Sequence, residues 1–222
     1  FVHDSNPGVN TNAKNYIYVA IRRPNMATIT DATEVFGISS DFVSTFSNVG
    51  FTVDMVLGRK HQESNNWRNF ARLIGDYFLV THLTNAASQL TNEIRWDNNT
   101  GFYHETNGTP NIWYQWRRAK SYFDVVAYEG TGSARTIAHG LGVVPEMMWI
   151  KKRNGSANWE IYHSGADSSA PESYSLYLNE NVVPQDRNDF NNTAPTSTVF
   201  SLGTTGNANE SSATFVAYLF AT

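Results

Sequence analysis

The 222-residue chain contains no cysteine. That excludes disulfides and thiolate metal sites. Charge is also scarce: 16% of residues are Asp, Glu, Lys or Arg, against roughly 25% in ordinary globular chains. The formal net charge is −4. The Arg pairs at 22–23 and 117–118 are too small for a patch that neutralises phosphates, so nucleic acid is not an expected partner. No apolar run reaches the roughly 18 residues that mark a membrane helix, and no membrane insertion is expected. The chain opens Phe1-Val2-His3-Asp4, without Met or a signal pattern, and reads as a fragment of a longer polypeptide or a processed product.

Uncharged polar residues fill the gap left by charge. Asn, Ser, Thr and Gly are abundant, which suits turns around short strands and not helices with Glu/Lys faces. Asn-x-Ser/Thr triplets occur at Asn98, Asn107, Asn154, Asn191 and Asn209; in so Asn- and Thr-rich a chain, chance accounts for them. Aromatic residues make up 14% of the chain, with 6 Trp, 11 Tyr and 13 Phe.

The chain resembles itself, and such periodicity reorganises any fold assignment. Three segments share a Phe, an Asn/Gly/Thr-rich loop and a short aromatic-aliphatic strand: Phe1 to Pro24, Phe102 to Ala119 and Phe200 to Thr222. Asn and Gly tolerate the backbone angles of tight hairpins, so each segment reads as a β-hairpin. A second block recurs between them. Gly50–Lys60 (GFTVDMVLGRK) matches Gly142–Arg153 (GVVPEMMWIKKR), and each is followed by a polar turn and a Trp, Trp67 or Trp159. A looser match relates HLTN (His82–Asn85) to YLNE (Tyr177–Glu180). The phase gives a preceding unit's terminal hairpin at 1–24, a first unit at 25–119 and a second at 120–222.

In the second unit, short apolar segments spaced by Gly and Asn turns predict strands at Asp124–Tyr128, Arg135–His139, Glu146–Lys152, Trp159–His163, Tyr174–Leu178, Thr198–Leu202 and Thr214–Phe220. Met147-Met-Trp-Ile is continuously apolar, as in a strand covered on both faces. In the first unit, residues 67–81 read as strand, Gly75 turn, strand, with a short helical turn at 67–74 as the alternative. The expected fold is all-β: two tandem antiparallel β-sandwich, jelly-roll-like units, with an N-terminal β-hairpin from a partial third repeat.

The stretch FDVVAYEGTGSARTIAHGLGVVPEMMWIKKR, then WEIYH, YSLYLNEN, PTSTVFSLG and TFVAYLFAT, resembles a repeat domain of unknown function found in tail-fibre-like structural proteins of marine bacteriophages. The likeness covers the second unit well and the first moderately, since the first has Phe46-Ser-Asn-Val-Gly where the motif has His-Gly-Leu-Gly. It implies a virion structural or attachment role on the particle surface, other virion proteins as partners, and self-assembly, with a trimer usual for fibres. It implies no catalytic residues.

The residues themselves offer little chemistry. His139, in Ala-His-Gly-Leu-Gly, reads as a hydrogen-bonding partner of a turn backbone. His163, His61 and His104 lack evident co-ligands, so no metal or cofactor is expected. Asp54 and Glu146 fall at matching repeat positions and read as turn acceptors or partners of nearby basic residues. No acid pair, nucleophile elbow or phosphate loop is apparent, so an enzyme is not expected. Trp113, Tyr114 and Trp116 lie in one strand, with Trp113 and Tyr114 on opposite faces. They are the candidate contacts for glycan or protein, and the competing reading places them in the contact between units. A carbohydrate-binding module or lectin, with a host cell-surface glycan as its expected partner, is therefore the alternative to the virion role; a glycan depolymerase would need an exposed acid pair.

Overall fold

The computed structural model describes residues 29–40, 46–60, 66–91, 93–105 and 111–221. The hairpin expected at 1–24 lies outside them. The fold is all-β, with antiparallel sheets in sandwich-like layers. In chain order the strands are β1 (Phe36–Ser39), β2 (Met55–Lys60), β3 (Arg68–Ala71), β4 (Tyr77–Val80), β5 (Ser88–Gln89), β6 (Ile94–Arg95), β7 (Tyr103–His104) and β8 (Asn111–Trp116). There follow β9 (Phe123–Glu129), β10 (Arg135–Ala138), β11 (Met147–Lys152), β12 (Trp159–His163), β13 (Tyr174–Tyr177), β14 (Gln185–Asp186), β15 (Val199–Leu202) and β16 (Thr214–Phe220). One short helix, α1 (Gly206–Asn209), precedes β16. No helix among the described residues is long and apolar enough to cross a membrane.

Two six-stranded sheets dominate. The first runs β1-β8-β2-β3-β4-β5; the second, read from its opposite edge, runs β9-β16-β11-β12-β13-β14. The two orders correspond strand for strand. Their registers correspond too. Met55 sits opposite Trp116 and Ala71, as Met147 sits opposite Phe220 and His163. Phe36 pairs with Trp116 as Phe123 pairs with Phe220, and Tyr77 with Gln89 as Tyr174 with Asp186. Bonds outside the ladders follow suit: Asp54 N donates to Trp116 O at 2.8 Å, and Glu146 N to Phe220 O at 2.9 Å. Gly50 and Gly142, at matching places before these acids, have φ of +82° and +80°. A left-handed backbone at both points explains why each block opens with Gly.

Each sheet is covered on both faces. On the outer side of the first, Phe51, Val53 and Phe102 close over Val56, Phe70 and Trp113. On the outer side of the second, the two-stranded β10–β15 sheet and α1 bring Ile137, Phe200, Leu202 and Ala208 onto Met148, Ile150, Phe215 and Leu219. The inner faces meet each other: Met55, Ala71 and Leu79 of the first sheet pack on Val125, Trp159, Val216 and Tyr218 of the second. Burying a side chain of Phe size contributes about 3 kcal/mol, so this shared layer is a main source of cohesion.

Polar bonds complete the junction. Trp159 Nε1 donates to Val80 O at 3.0 Å, and the Tyr218 hydroxyl donates to Asn69 Oδ1. Ala87 N donates to Arg153 O at 2.8 Å and Ala157 N to Thr84 O at 2.9 Å. β11 is the strand expected to be covered twice: Met148 and Ile150 enter the outer core, while Trp149 packs on the inner one. The ambiguous stretch 67–81 resolves into β3, one 3-10 turn at Arg72–Ile74, Gly75 at φ +64° and β4. The helical pattern is real, and it is confined to three residues because Arg68–Ala71 pair with β2.

Candidate functional site

The aromatic strand β8 alternates strictly between buried and half-buried residues. Trp113 faces the outer core of the first sheet at 4% exposure, edge-on to Phe70 and Phe102. Its assignment as a surface contact is corrected: the β6–β7 side of the fold covers that face, and Gly58 leaves the space its ring needs. A Cβ on Gly58 would lie 2.0 Å from Trp113 Cε3. Tyr114 and Trp116 turn to the opposite face, as the period of two requires. Both are half-buried. Trp116 leans on Phe36 and Phe123, at centroid distances of 5.1 and 6.5 Å, and lines the layer between the sheets. Tyr114 lies beyond that layer, beside Phe36 and Trp67, with Arg59 stacked over Trp67 at 5.5 Å. Ile38, opposite Tyr114 on edge strand β1, is 57% exposed. The trio therefore divides between core, junction and surface.

The His-Gly-Leu-Gly motif is a built turn. Leu141 N donates to His139 Nδ1 at 3.3 Å, so Nε2 carries the ring proton and donates to Thr196 O at 3.1 Å. Burial lowers the His139 pKa, against opposing effects from the Thr196 carbonyl and Asp124. Asp124, fully buried, holds the same turn: its Oδ2 accepts from Gly140 N at 2.6 Å, and its Oδ1 from Val125 N at 2.8 Å and from Arg118 Nε. Arg118 belongs to the link between the sheets, so this carboxylate fixes the link, β9 and the turn together. Asp54 has a comparable task, accepting from Arg118 N at 2.8 Å with Arg72 Nε at 3.7 Å.

Two groups stand out that the sequence reading passed over. Lys151 is fully buried in the junction, and its ammonium donates to Thr84 O at 2.8 Å and Ala157 O at 2.7 Å. Burial, reinforced by neighbouring Lys152, lowers its pKa to about 8. Glu160 and Asp189 are both fully buried on the outer side of the second sheet. Burial first, then the charge of Asp189, raises the Glu160 pKa to about 8. Asn207 Nδ2 donates to Glu160 Oε1 at 2.6 Å, while Ser175, Arg187 and Thr205 donate to Asp189. A signal for Glu160 existed: in Trp-Glu-Ile-Tyr-His it shares a strand face with Tyr162, which is buried. Asp189 lies 29 positions on, in a segment without periodicity, so nothing in the sequence joins the pair.

Both carboxyls of this pair are fully buried, whereas glycoside cleavage requires a carboxyl pair open to the sugar. No group of three or more His, Cys, Asp or Glu side chains that could hold a metal occurs among the described residues. Asn209 heads one of the Asn-x-Ser/Thr triplets, yet it is fully buried and donates to Ser133 O and Gly203 O. Its side chain ties loops together and is inaccessible to modification in the folded chain.

No curated protein and no solved structure matches the chain. A family model matches residues 81–222, beginning at the loop that bonds the two sheets and running through the whole second sheet. By that match, which spans more than half of its length, the chain belongs to the family described as a domain of unknown function, DUF7483.

Proposed function

We propose that this chain is a virion structural protein of a bacteriophage, a tail-fibre, decoration or receptor-binding module that acts by assembly and surface recognition and not by catalysis. The observation that carries this reading is the correspondence of the two sheets in strand order and register. We take them as two copies of one repeat. Copies that bury a face against each other extend a rigid body by addition, which suits an appendage. The polar groups best able to do chemistry, Asp124, His139, Glu160, Asp189 and Lys151, serve internal bonds instead. Loops carry the recognition surface. Val144 (51% exposed), Val182 (47%) and Val183 (74%) present apolar side chains there, suited to contact with another protein.

The proposed partners are other copies of the chain, with a trimer favoured, further virion proteins, and host-surface glycan. Multivalency would compensate for weak single contacts. Light scattering across a wide concentration range tests the fibre form: a stable oligomer is expected, and a monomer at every concentration contradicts it. The lectin alternative loses Trp113 and keeps Tyr114 with Trp67 as its platform. A glycan array tests it; hits abolished by Tyr114→Ala would favour it over pure assembly.

A further inference from the structure

Two buried carboxyls meet on the outer face of the second sheet with one guanidinium between them to balance the charge. Glu160 Oε2 accepts no hydrogen bond, and the Asp189 carboxyl abuts it. Asp189 Oδ1 accepts from Thr205 Oγ1; its Oδ2 accepts from Ser175 Oγ at 2.7 Å and Arg187 Nε at 2.9 Å. A carboxylate offers about four acceptor positions, so one is left on Asp189. An ionised Glu160 has no donor to fill it. A protonated Glu160 does, and its own orphaned oxygen is satisfied in the same step.

The surrounding charges leave little alternative. Arg187 is committed to Asp189. Lys152, from β11, is bound by Glu210, just past α1, at 2.5 Å. Tyr177 faces Glu160 across the β12–β13 ladder, and Asn207 of α1 supplies a neutral amide. Glu180 adds a further negative charge acting on Tyr177. A second buried negative charge here would lack a cation of its own, at a cost of several kcal/mol.

We propose that Glu160 and Asp189 share one proton, and that this proton latches the segment 185–193 onto the second sheet, so that rising pH weakens the latch by drawing that proton off. The segment's other ties are few. They are the two-residue β14 ladder, Arg187 N to Ser173 O, and the Gly203 N bond to Asp189 O, both at 2.9 Å. Opening uncovers Phe190 and Tyr162 of the outer core. The device is independent of the assembly role and holds whether or not the chain is a virion protein.

Trypsin reads the latch, because Arg187 lies inside the segment. The intact protein is digested across about pH 6.5–9.5, and cleavage after Arg187 is normalised to an unstructured peptide at each pH. The expected rate rises by up to about tenfold per pH unit while the closed state holds a proton that the opened state has released, and it levels off above about pH 8. Glu160→Gln supplies a permanent N–H to Asp189, and its profile is expected to be flat. A flat wild-type profile, or the same rise in Glu160→Gln, overturns the proposal. Infrared spectroscopy of the wild type alone gives a second readout: a protonated-carboxyl stretch at neutral pH that fades near pH 8 is expected, and its absence at neutral pH also overturns the proposal.

Discussion

Trp159→Ala removes the largest fully buried side chain in the layer between the sheets, and its effect should appear on both sides of that layer. Trp159 is fully buried, stacks on Tyr218 at 6.4 Å and donates to Val80 O across the junction at 3.0 Å. Truncating a buried Trp to Ala costs about 3–5 kcal/mol through lost transfer energy and cavity formation. Stranding the Val80 carbonyl adds about 1 kcal/mol. The sum, about 5 kcal/mol, rivals the whole stability of a small domain, about 5–15 kcal/mol. Trp159→Phe keeps most of the ring and should cost about 1–2 kcal/mol, mainly the hydrogen bond. Urea unfolding measures both values, and hydrogen exchange read by mass spectrometry locates them. Peptides covering β2 and β3 should lose protection along with those of β11 and β12. If first-sheet peptides keep wild-type protection while second-sheet peptides lose theirs, the shared layer does not couple the sheets and the reasoning fails.

Further outcomes follow from single groups. Asp124→Ala should cost about 3 kcal/mol by calorimetry, since it leaves the Arg118 guanidinium and Gly140 N–H without their acceptor. Tyr218→Phe should cost about 1 kcal/mol, the worth of one hydrogen bond to Asn69. Glu160, raised to about 8 when folded, binds a proton that the unfolded chain has released, so its contribution to stability falls from about pH 4.5 to pH 8 at about 1.4 kcal/mol per unit. Lys151, lowered to about 8, works in the opposite sense: above pH 8 the unfolded chain holds the extra proton, and stability recovers toward pH 10.5. A melting-temperature profile against pH should therefore fall from about pH 4.5 and dip near pH 8, with Glu160→Gln removing the acid-side fall and Lys151→Met the alkaline recovery.

The strands of the second unit were legible because each has a short apolar run, a partial alternation and a Gly or Asn turn on either side. The correspondence between the two sheets was legible for the same reason: GFTVDMV and GVVPEMM keep the Gly, the acid and the Met that the register aligns. The alternation in β8 correctly separated Trp113 from Tyr114 and Trp116. It could not say which side was covered. A period of two carries no sign, and Gly58, which seats the Trp113 ring, is adjacent only once β2 pairs with β8. The junction was hidden for a similar reason. Trp159 and Tyr218 look like ordinary core residues until the inner faces of both sheets are known. The Glu160–Asp189 contact joins a strand to an aperiodic segment, and only the folded chain brings them together.

The functional account turns on where the chain resides. Gold-labelled antibody against the folded chain, applied to intact particles purified from producing cells, tests this most directly. The account predicts label on a particle appendage, at regular positions. Particles bare of label, with the chain recovered wholly in the particle-free fraction, would contradict it.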